Sequence, residues 1–248
     1  MQVIILGSGD AFGSGGRLNT FFCVQGKRTA FLIDCRASAM VSIRRFEVDP
    51  NSIDAILISH LHGDHFGGLP FFILDAQLVS KRQSKLVIAG PIGLTKRLEE
   101  AMEVFFAGSS KTRRKFGIEI VELLPTVQKE LPDQLKVTGY EVNHPSGAPS
   151  LALRVEFEGA TIAYTGDTDW VDALVPATQN ADLLIAEAYN FDRQVPFHLD
   201  YRTLSGKLPD IRPKRLILTH MSSEMLARID EADCEAAYDG MKVEIASV

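Results

Sequence analysis

Six consecutive residues, His60-Leu61-His62-Gly63-Asp64-His65, hold three of the chain's six histidines and an aspartate, directly after the apolar run IDAILIS. A fold for this chain has to deliver that stretch at the end of a buried strand. In a helix His60 and His62 would point to nearly opposite faces, because successive residues turn by about 100°. In an extended or looping segment, residues two apart share a side, so His60 and His62 are placed to grip one ion. Gly63 then allows a sharp turn, after which Asp64 and His65 face a second position. Two imidazoles followed by a carboxylate–imidazole pair suit zinc or a similar borderline divalent metal. A solvated polar loop explains any single member of the set but not all four together.

Three further residues share the same placement. His144 follows LKVTGYEVN and precedes a proline, His220 follows RLILT, and Asp167 closes TIAYTGD. Each lies just past the end of a strand-like run, where loops on one rim of a sheet meet. The joint arrangement predicts two metals, with His60, His62 and His144 on the first and Asp64, His65 and His220 on the second. Asp167 would bridge them.

The rest of the chain is consistent with an α/β (α+β) protein. QVIIL, TFFCVQ and TAFLID read as adjacent strands, ASAMVSIRRFEV as a helix, and IDAILIS as a buried strand. A helix is expected within FGGLPFFILDAQLVS, then the strand KLVIAG and a helix over PIGLTKRLEEAMEVFF with its proline near the first turn. IEIVELL, LKVTGYEVN, SLALRVEF and ATIAYTGD return to strands, followed by DLLIAEA and KRLILTH with a helix between them. EMLARIDEADCEAAYDG reads as partly helical, and MKVEIA as a closing strand. Two sheets packed face to face with helices outside fit this order. Nothing resembling a linker or repeat divides the 248 residues, so a single domain over 1–248 is expected.

Cys23, Cys35 and Cys234 are odd in number and scattered, which indicates neither a disulfide framework nor a thiolate zinc site. The N-terminal run is too short and lacks the basic flank of a secretory signal, and no segment approaches the length of a membrane span. The cytoplasm is the expected location. A net charge of −6 argues against bulk binding to nucleic acid.

HLHGDH, a later histidine, TGDT and a final strand–His together resemble the metallo-β-lactamase fold, an αββα sandwich with a metal site along one edge. The start, ILGSGDAFGSGGRLNTFFCV, and the ending AYDGMKVEI are similar to the ribonuclease Z branch and its phosphodiesterase relatives. The resemblance implies roles for three more residues. Glu187 in IAEAY takes the place of the branch's acidic strand-end residue, although Ala186 stands where the motif begins with histidine. His198 in PFHLDY takes the place of a histidine that binds no metal and serves as proton donor or as a cation for phosphate. Glu187 would orient His198 or cap local backbone, and Asp34 would support the metal loop from behind. Asp64 would also position the nucleophile.

A dinuclear hydrolase is the expected function, with zinc as the expected metal and manganese or iron as alternatives. Its substrate would be a small-molecule ester, first a phosphodiester; lactone, thioester and sulfate-ester hydrolysis, or iron-dependent redox chemistry, are the alternatives. A binding protein that has lost turnover fits poorly with a full ligand set. Branch members that mature tRNA carry a long arm between the positions of His144 and Asp167, where this chain has only 22 residues, 145–166. This makes tRNA an unexpected partner; no membrane partner is expected, and a homodimer is the assembly to test. GSGDAFGSGG lacks the GK[ST] ending of a phosphate loop and reads as a tight loop at the site rim. KTRRK (111–115) reads as a solvated turn.

Overall fold

The computed structural model of the chain describes residues 1–245. Its first half runs β1 (Gln2–Gly7), β2 (Phe21–Gln25), β3 (Ala30–Ile33), α1 (Ala39–Arg45), β4 (Ile53–Leu57), the one-turn α2 (Gly63–Phe66), α3 (Leu69–Leu78), β5 (Leu86–Pro91), α4 (Leu94–Phe105) and β6 (Ile118–Leu123). The second half runs β7 (Lys129–Leu131), β8 (Leu135–Val142), β9 (Ser150–Phe157), β10 (Ala160–Tyr164), α5 (Leu174–Thr178), β11 (Leu183–Glu187), α6 (Tyr201–Ile211), β12 (Leu216–Thr219), α7 (Ser223–Ala227), β13 (Glu235–Ala236) and β14 (Lys242–Glu244). Two seven-stranded sheets result, ordered β14-β1-β2-β3-β4-β5-β6 and β13-β12-β11-β10-β9-β8-β7.

Strand periodicity explains how four layers form. On β1 to β5 the alternate residues Val3, Ile5, Phe22, Val24, Phe31, Ile33 and Leu57 point inward and meet Leu151, Leu153, Val155, Ile162 and Ile185 of the other sheet. Their neighbours Ile4, Leu6, Phe21, Leu32 and Ile56 point outward under α1, α3 and α4. Leu184, Ala186 and Leu218 do the same beneath α6 and α7. Both faces of these strands are therefore buried, which is why they read as near-continuous apolar runs. The expected αββα sandwich is the fold observed.

The register carries six strand ends to one edge. β3, β4 and β5 are parallel, as are β10, β11 and β12. β9 runs antiparallel to both β8 and β10, so β8 points the same way as β10. The residues following β3, β4, β8, β10, β11 and β12 thus gather at the carboxyl ends of the strands, the usual place for ligands in open α/β sheets. One glycine is forced by this packing. A Cβ on Gly68 would lie 1.8 Å from the backbone oxygen of Arg36, so only glycine lets α3 approach the loop after β3.

The structure departs from the sequence reading in a few places. Pro91 is the last residue of β5, and α4 instead starts after Gly93, which has φ 94. The edge strand β7 is absent from the strands expected above. EMLARIDEADCEAAYDG is partly helical as expected, its first four residues ending α7 (Ser223–Ala227) before a 3-10 turn at Ile229–Glu231, but its strand Glu235–Ala236, which pairs with β12, is not among the strands expected. The closing strand is Lys242–Glu244; Ala246 of its expected range lies outside the described residues.

Phe22 tests the packing between the sheets, since it is fully buried and meets the ring of Tyr164 edge-on at 5.2 Å. Phe22→Ala is expected to cost about 3–5 kcal/mol, read as a lower midpoint in denaturant unfolding. A cost below about 1 kcal/mol would mean the sheets do not pack there as described.

Candidate metal centre and active site

The loop after β4 is extended through His60 and His62 and then coils for one turn over Gly63–Phe66. The two imidazoles on the extended part share a side, as their spacing predicts, while Asp64 and His65 are carried by the helical turn. Gly63 is not the sharp pivot expected: it has no positive φ, and a Cβ there would meet nothing within 4 Å.

Two groups of candidate ligand atoms form. His60, His62 and His144 make one, and Asp64, His65, Asp167 and His220 the other, each with its ligand atoms within 4.8 Å of one another. Asp167 lies between them: its Oδ2 is 3.3 Å from both His65 Nε2 and His220 Nε2, 3.9 Å from His60 Nε2 and 4.0 Å from His144 Nε2. Asp64 Oδ2 is 3.2 Å from His65 Nε2 and 3.7 Å from His220 Nε2.

The other ring nitrogen of three of these histidines is engaged from behind, and that of the fourth, His220, only lies near a carboxylate without a hydrogen bond. His65 Nδ1 meets Asp34 Oδ2 at 2.7 Å, His60 Nδ1 meets Ser59 Oγ at 3.1 Å, and His144 Nδ1 meets the Phe197 carbonyl at 3.0 Å. His220 Nδ1 lies 3.2 Å from Glu187 Oε1. Such partners fix which nitrogen is left free to face a metal. Asp34 is fully buried and also accepts from Ser59 N at 2.8 Å and Ser59 Oγ at 2.9 Å, so it stands behind the loop as expected. Asp34, Phe197 and His220 all adopt left-handed backbone, with φ of 63, 69 and 56.

The residues present fit divalent cations. His60 Nε2, His65 Nε2, His220 Nε2 and Asp167 Oδ1 are buried and have no hydrogen-bond partner, a costly state for polar atoms unless something bonds them. The electrostatics agree. Burial disfavours a charge on His220, but the carboxylates of Asp167, Asp64 and Glu187 outweigh it and the ring is pushed up to about 10. Burial also opposes the His65 charge, and Asp167 and Asp34 override it upward. Burial drives His60 the other way, with help from the His65 charge. The carboxylates here demand positive charge, and nitrogen and oxygen donors are what a borderline metal takes.

His198 joins the cluster from outside. It belongs to a third group with Asp167, Glu187 and His220, its ring is 5.1 Å from His144 and 5.9 Å from His220, and its Nδ1 lies 2.5 Å from Glu187 Oε1. Glu187 makes both kinds of contact, since its Oε2 also accepts from Thr168 N at 2.9 Å and Leu199 N at 3.2 Å. Burial pulls the His198 pKa down, but the Glu187 hydrogen bond and charge outweigh it and the net shift is upward.

A cleft of about 190 Å³ opens onto these groups, walled by Ala11, Phe12 and Tyr189. A larger groove, about 450 Å³, lies at the opposite edge among Arg28, Lys136, Glu156 and Glu158. It touches none of the candidate ligands, so its size does not make it the site. Sequence reasoning missed four contributors: Ser59, the Phe197 carbonyl, Tyr189 and Phe12. Tyr189 stacks on His198 at 4.7 Å. Ser59 and Tyr189 carried a signal, being next to His60 and two residues past Glu187. A carbonyl, which every residue has, carried none.

Comparison with known proteins places this geometry. The family described as Anti-Pycsar protein Apyc1 matches residues 1–237. The ribonuclease Z of Anoxybacillus flavithermus is 26% identical over 281 aligned residues, covering 90% of this chain and 87% of that protein. The crystal structure of human tRNase Z, short form, is 28% identical with a TM-score of 0.80, covering 99% of this chain and 100% of that one. A diphosphatase from the PhnP family shares the fold at 20% identity and TM-score 0.78, covering 99% and 98%. No helix among the described residues is long and apolar enough to cross a membrane.

The position of Asp167 yields a test. About two divalent ions per chain are expected under saturating metal, and Asp167→Ala should lower occupancy at both positions because a bridge serves both. Elemental analysis of wild type and variant checks this; a wild-type stoichiometry near one would remove the dinuclear arrangement.

Proposed function

The chain belongs to the Anti-Pycsar protein Apyc1 family and is a metal-dependent hydrolase of the ribonuclease Z and phosphodiesterase type, and from that premise we propose that it is a dinuclear phosphodiesterase for small diesters. The observation that supports this reading most is a histidine, His198, held beside the candidate ligands by a buried glutamate. His60, His62 and His144 would hold one ion, Asp64, His65 and His220 the other, and Asp167 both; zinc suits these donors. Bound there, two divalent ions would supply Lewis acidity, polarising phosphoryl oxygens and lowering the pKa of water from about 15.7 toward about 7.

The chain's own residues supply the rest. Asp64, on the helical turn, faces the cleft and is placed to orient the attacking water. Glu187 occupies His198 Nδ1, which fixes the tautomer and leaves Nε2 to serve the substrate. The same carboxylate favours the protonated ring, the form a donor requires. As the water oxygen bonds to phosphorus and the ester P–O bond breaks, the leaving oxygen takes the proton from His198. Glu187 and the stacked ring of Tyr189 hold the imidazole in one orientation throughout.

Small diesters are favoured over tRNA by the space available. The residues from 145 to 166 are taken up by β9, β10 and their connections, leaving no segment for a substrate-gripping arm. With a net charge of −6 as well, precursor tRNA is expected to stay uncut at its 3′ end at physiological salt. Efficient processing in a gel assay would contradict the preference for small diesters.

The decisive experiment concerns His198. His198→Ala is expected to keep its metal while kcat falls by about 10²–10⁴ on an unactivated diester. The loss should shrink on a nitrophenyl diester, whose leaving group hardly needs a proton. Equal losses on both substrates would reject proton donation in favour of charge stabilisation, and an unchanged rate on both would exclude His198 from the chemistry.

A further inference from the structure

The glycine-rich segment GSGDAFGSGG takes no part in the chemistry above, yet Ala11 and Phe12 at its tip wall the same cleft as His198. The loop is built to hold its shape. Asp10, 1% exposed, accepts from Phe12 N at 3.2 Å and Ser14 N at 2.8 Å through Oδ1, and from Ser14 Oγ at 2.7 Å through Oδ2. Asn19 Nδ2 donates to the carbonyls of Asp10 and Ala11 at 2.8 and 3.0 Å. Asp239 ties down both ends, accepting from Ser8 N, Ser8 Oγ and Leu18 N at 3.0, 2.8 and 2.8 Å. Gly13, Gly15 and Gly16 sit at φ 72, 67 and 71, so this backbone path depends on glycine.

On that frame the side chain of Phe12 is 88% exposed, the most exposed large apolar residue among those described. A single exposed phenylalanine is ordinary on a protein surface. One held by a buried carboxylate at the mouth of a catalytic cleft, with a tyrosine on another wall, is not. The rest of the lining is polar, His62, Asp64, His144, Asp167 and His220 among it. The cleft thus joins candidate metal ligands, whose ions would take a phosphate, to aromatic surface that suits a flat ring.

We propose that Phe12 is a specificity-determining residue: its ring stacks on a planar aromatic ester group of the substrate while the phosphate lies within reach of His198. Offset stacking of two rings is worth enough to favour a planar group over a saturated one of equal size by about three- to tenfold. The assignment rests on the phosphodiesterase reading, and the test separates the two. The metal-loaded protein is given the benzyl and the cyclohexylmethyl esters of 2,2,2-trifluoroethyl phosphate, which share a leaving group, and turnover is followed by fluorine NMR. The benzyl ester should be preferred in kcat/KM by about three- to tenfold, mainly through KM. Phe12→Ala should bring the ratio near one, and Phe12→Trp should keep it. A ratio unchanged in Phe12→Ala would overturn the proposal, all the more if sedimentation shows a wild-type dimer that the same substitution dissociates, since Phe12 would then be an assembly contact. If neither ester is hydrolysed, the phosphodiesterase reading fails. The Phe12 assignment is then decided by calorimetry with benzylphosphonate and cyclohexylmethylphosphonate: a wild-type preference lost in Phe12→Ala sustains it, and equal binding of the two rejects it.

Discussion

Asp34, a carboxylate without solvent exposure, fastens the end of β3 to the loop after β4 through Ser59 N, Ser59 Oγ and His65 Nδ1. Burial raises its pKa, and the charge on His65 does most to oppose that rise. Its backbone is left-handed at φ 63, a conformation that costs a non-glycine residue free energy and persists only when the surroundings over-determine it. The neighbours do so: Asp34 N donates to the Leu57 carbonyl at 2.7 Å, and Cys35 N to the His65 carbonyl at 2.6 Å. These contacts fix where the His60–His65 stretch leaves the sheet. The second sheet then brings His144, Asp167 and His220 to the same edge by register alone.

This division explains what could be read from the sequence. The HLHGDH cluster was legible because its geometry is local, and the distant candidate ligands because each follows a β-rich run whose end is easy to see. Both sheets were legible for the same reason, since strands buried on two faces leave long apolar runs. The misses are of another kind. EMLARIDEADCEAAYDG is partly helical as expected, but the strand Glu235–Ala236 within it is not among those expected: it gains an edge position beside β12, and Ala237 N donates to the Leu218 carbonyl at 2.8 Å. That tertiary pairing outweighs propensity. β7 is three residues long and exists through its pairing with β8, so no periodicity announces it. The Phe197 carbonyl is recognisable only once His144 is in place.

Phe197 also shows how the two functions of the edge are coupled. Its carbonyl accepts from His144 Nδ1, and the next residue is His198. One turn at φ 69 therefore orients a candidate ligand and sets the position of the proposed donor. Glu187 makes a similar link from the other side, reaching His198 Nδ1 at 2.5 Å and lying 3.2 Å from His220 Nδ1. The proposed donor and two of the candidate ligands therefore share supports.

The rim is held differently. Candidate ligands and His198 sit on strand ends or brace against them, where two packed sheets define their positions. Phe12 sits on a loop shaped by Asp10 and Asn19 from within and tied at both ends by Asp239, and none of these anchors bonds the Phe12 side chain. Changing the residue at the tip leaves those anchors in place, because a side chain exposed at 88% contributes little to packing. Loops carried by a rigid scaffold are where binding varies most freely. A ribonuclease Z, a tRNase Z and a diphosphatase resemble this chain in sequence or fold, and a loop of this kind is where such proteins are free to differ.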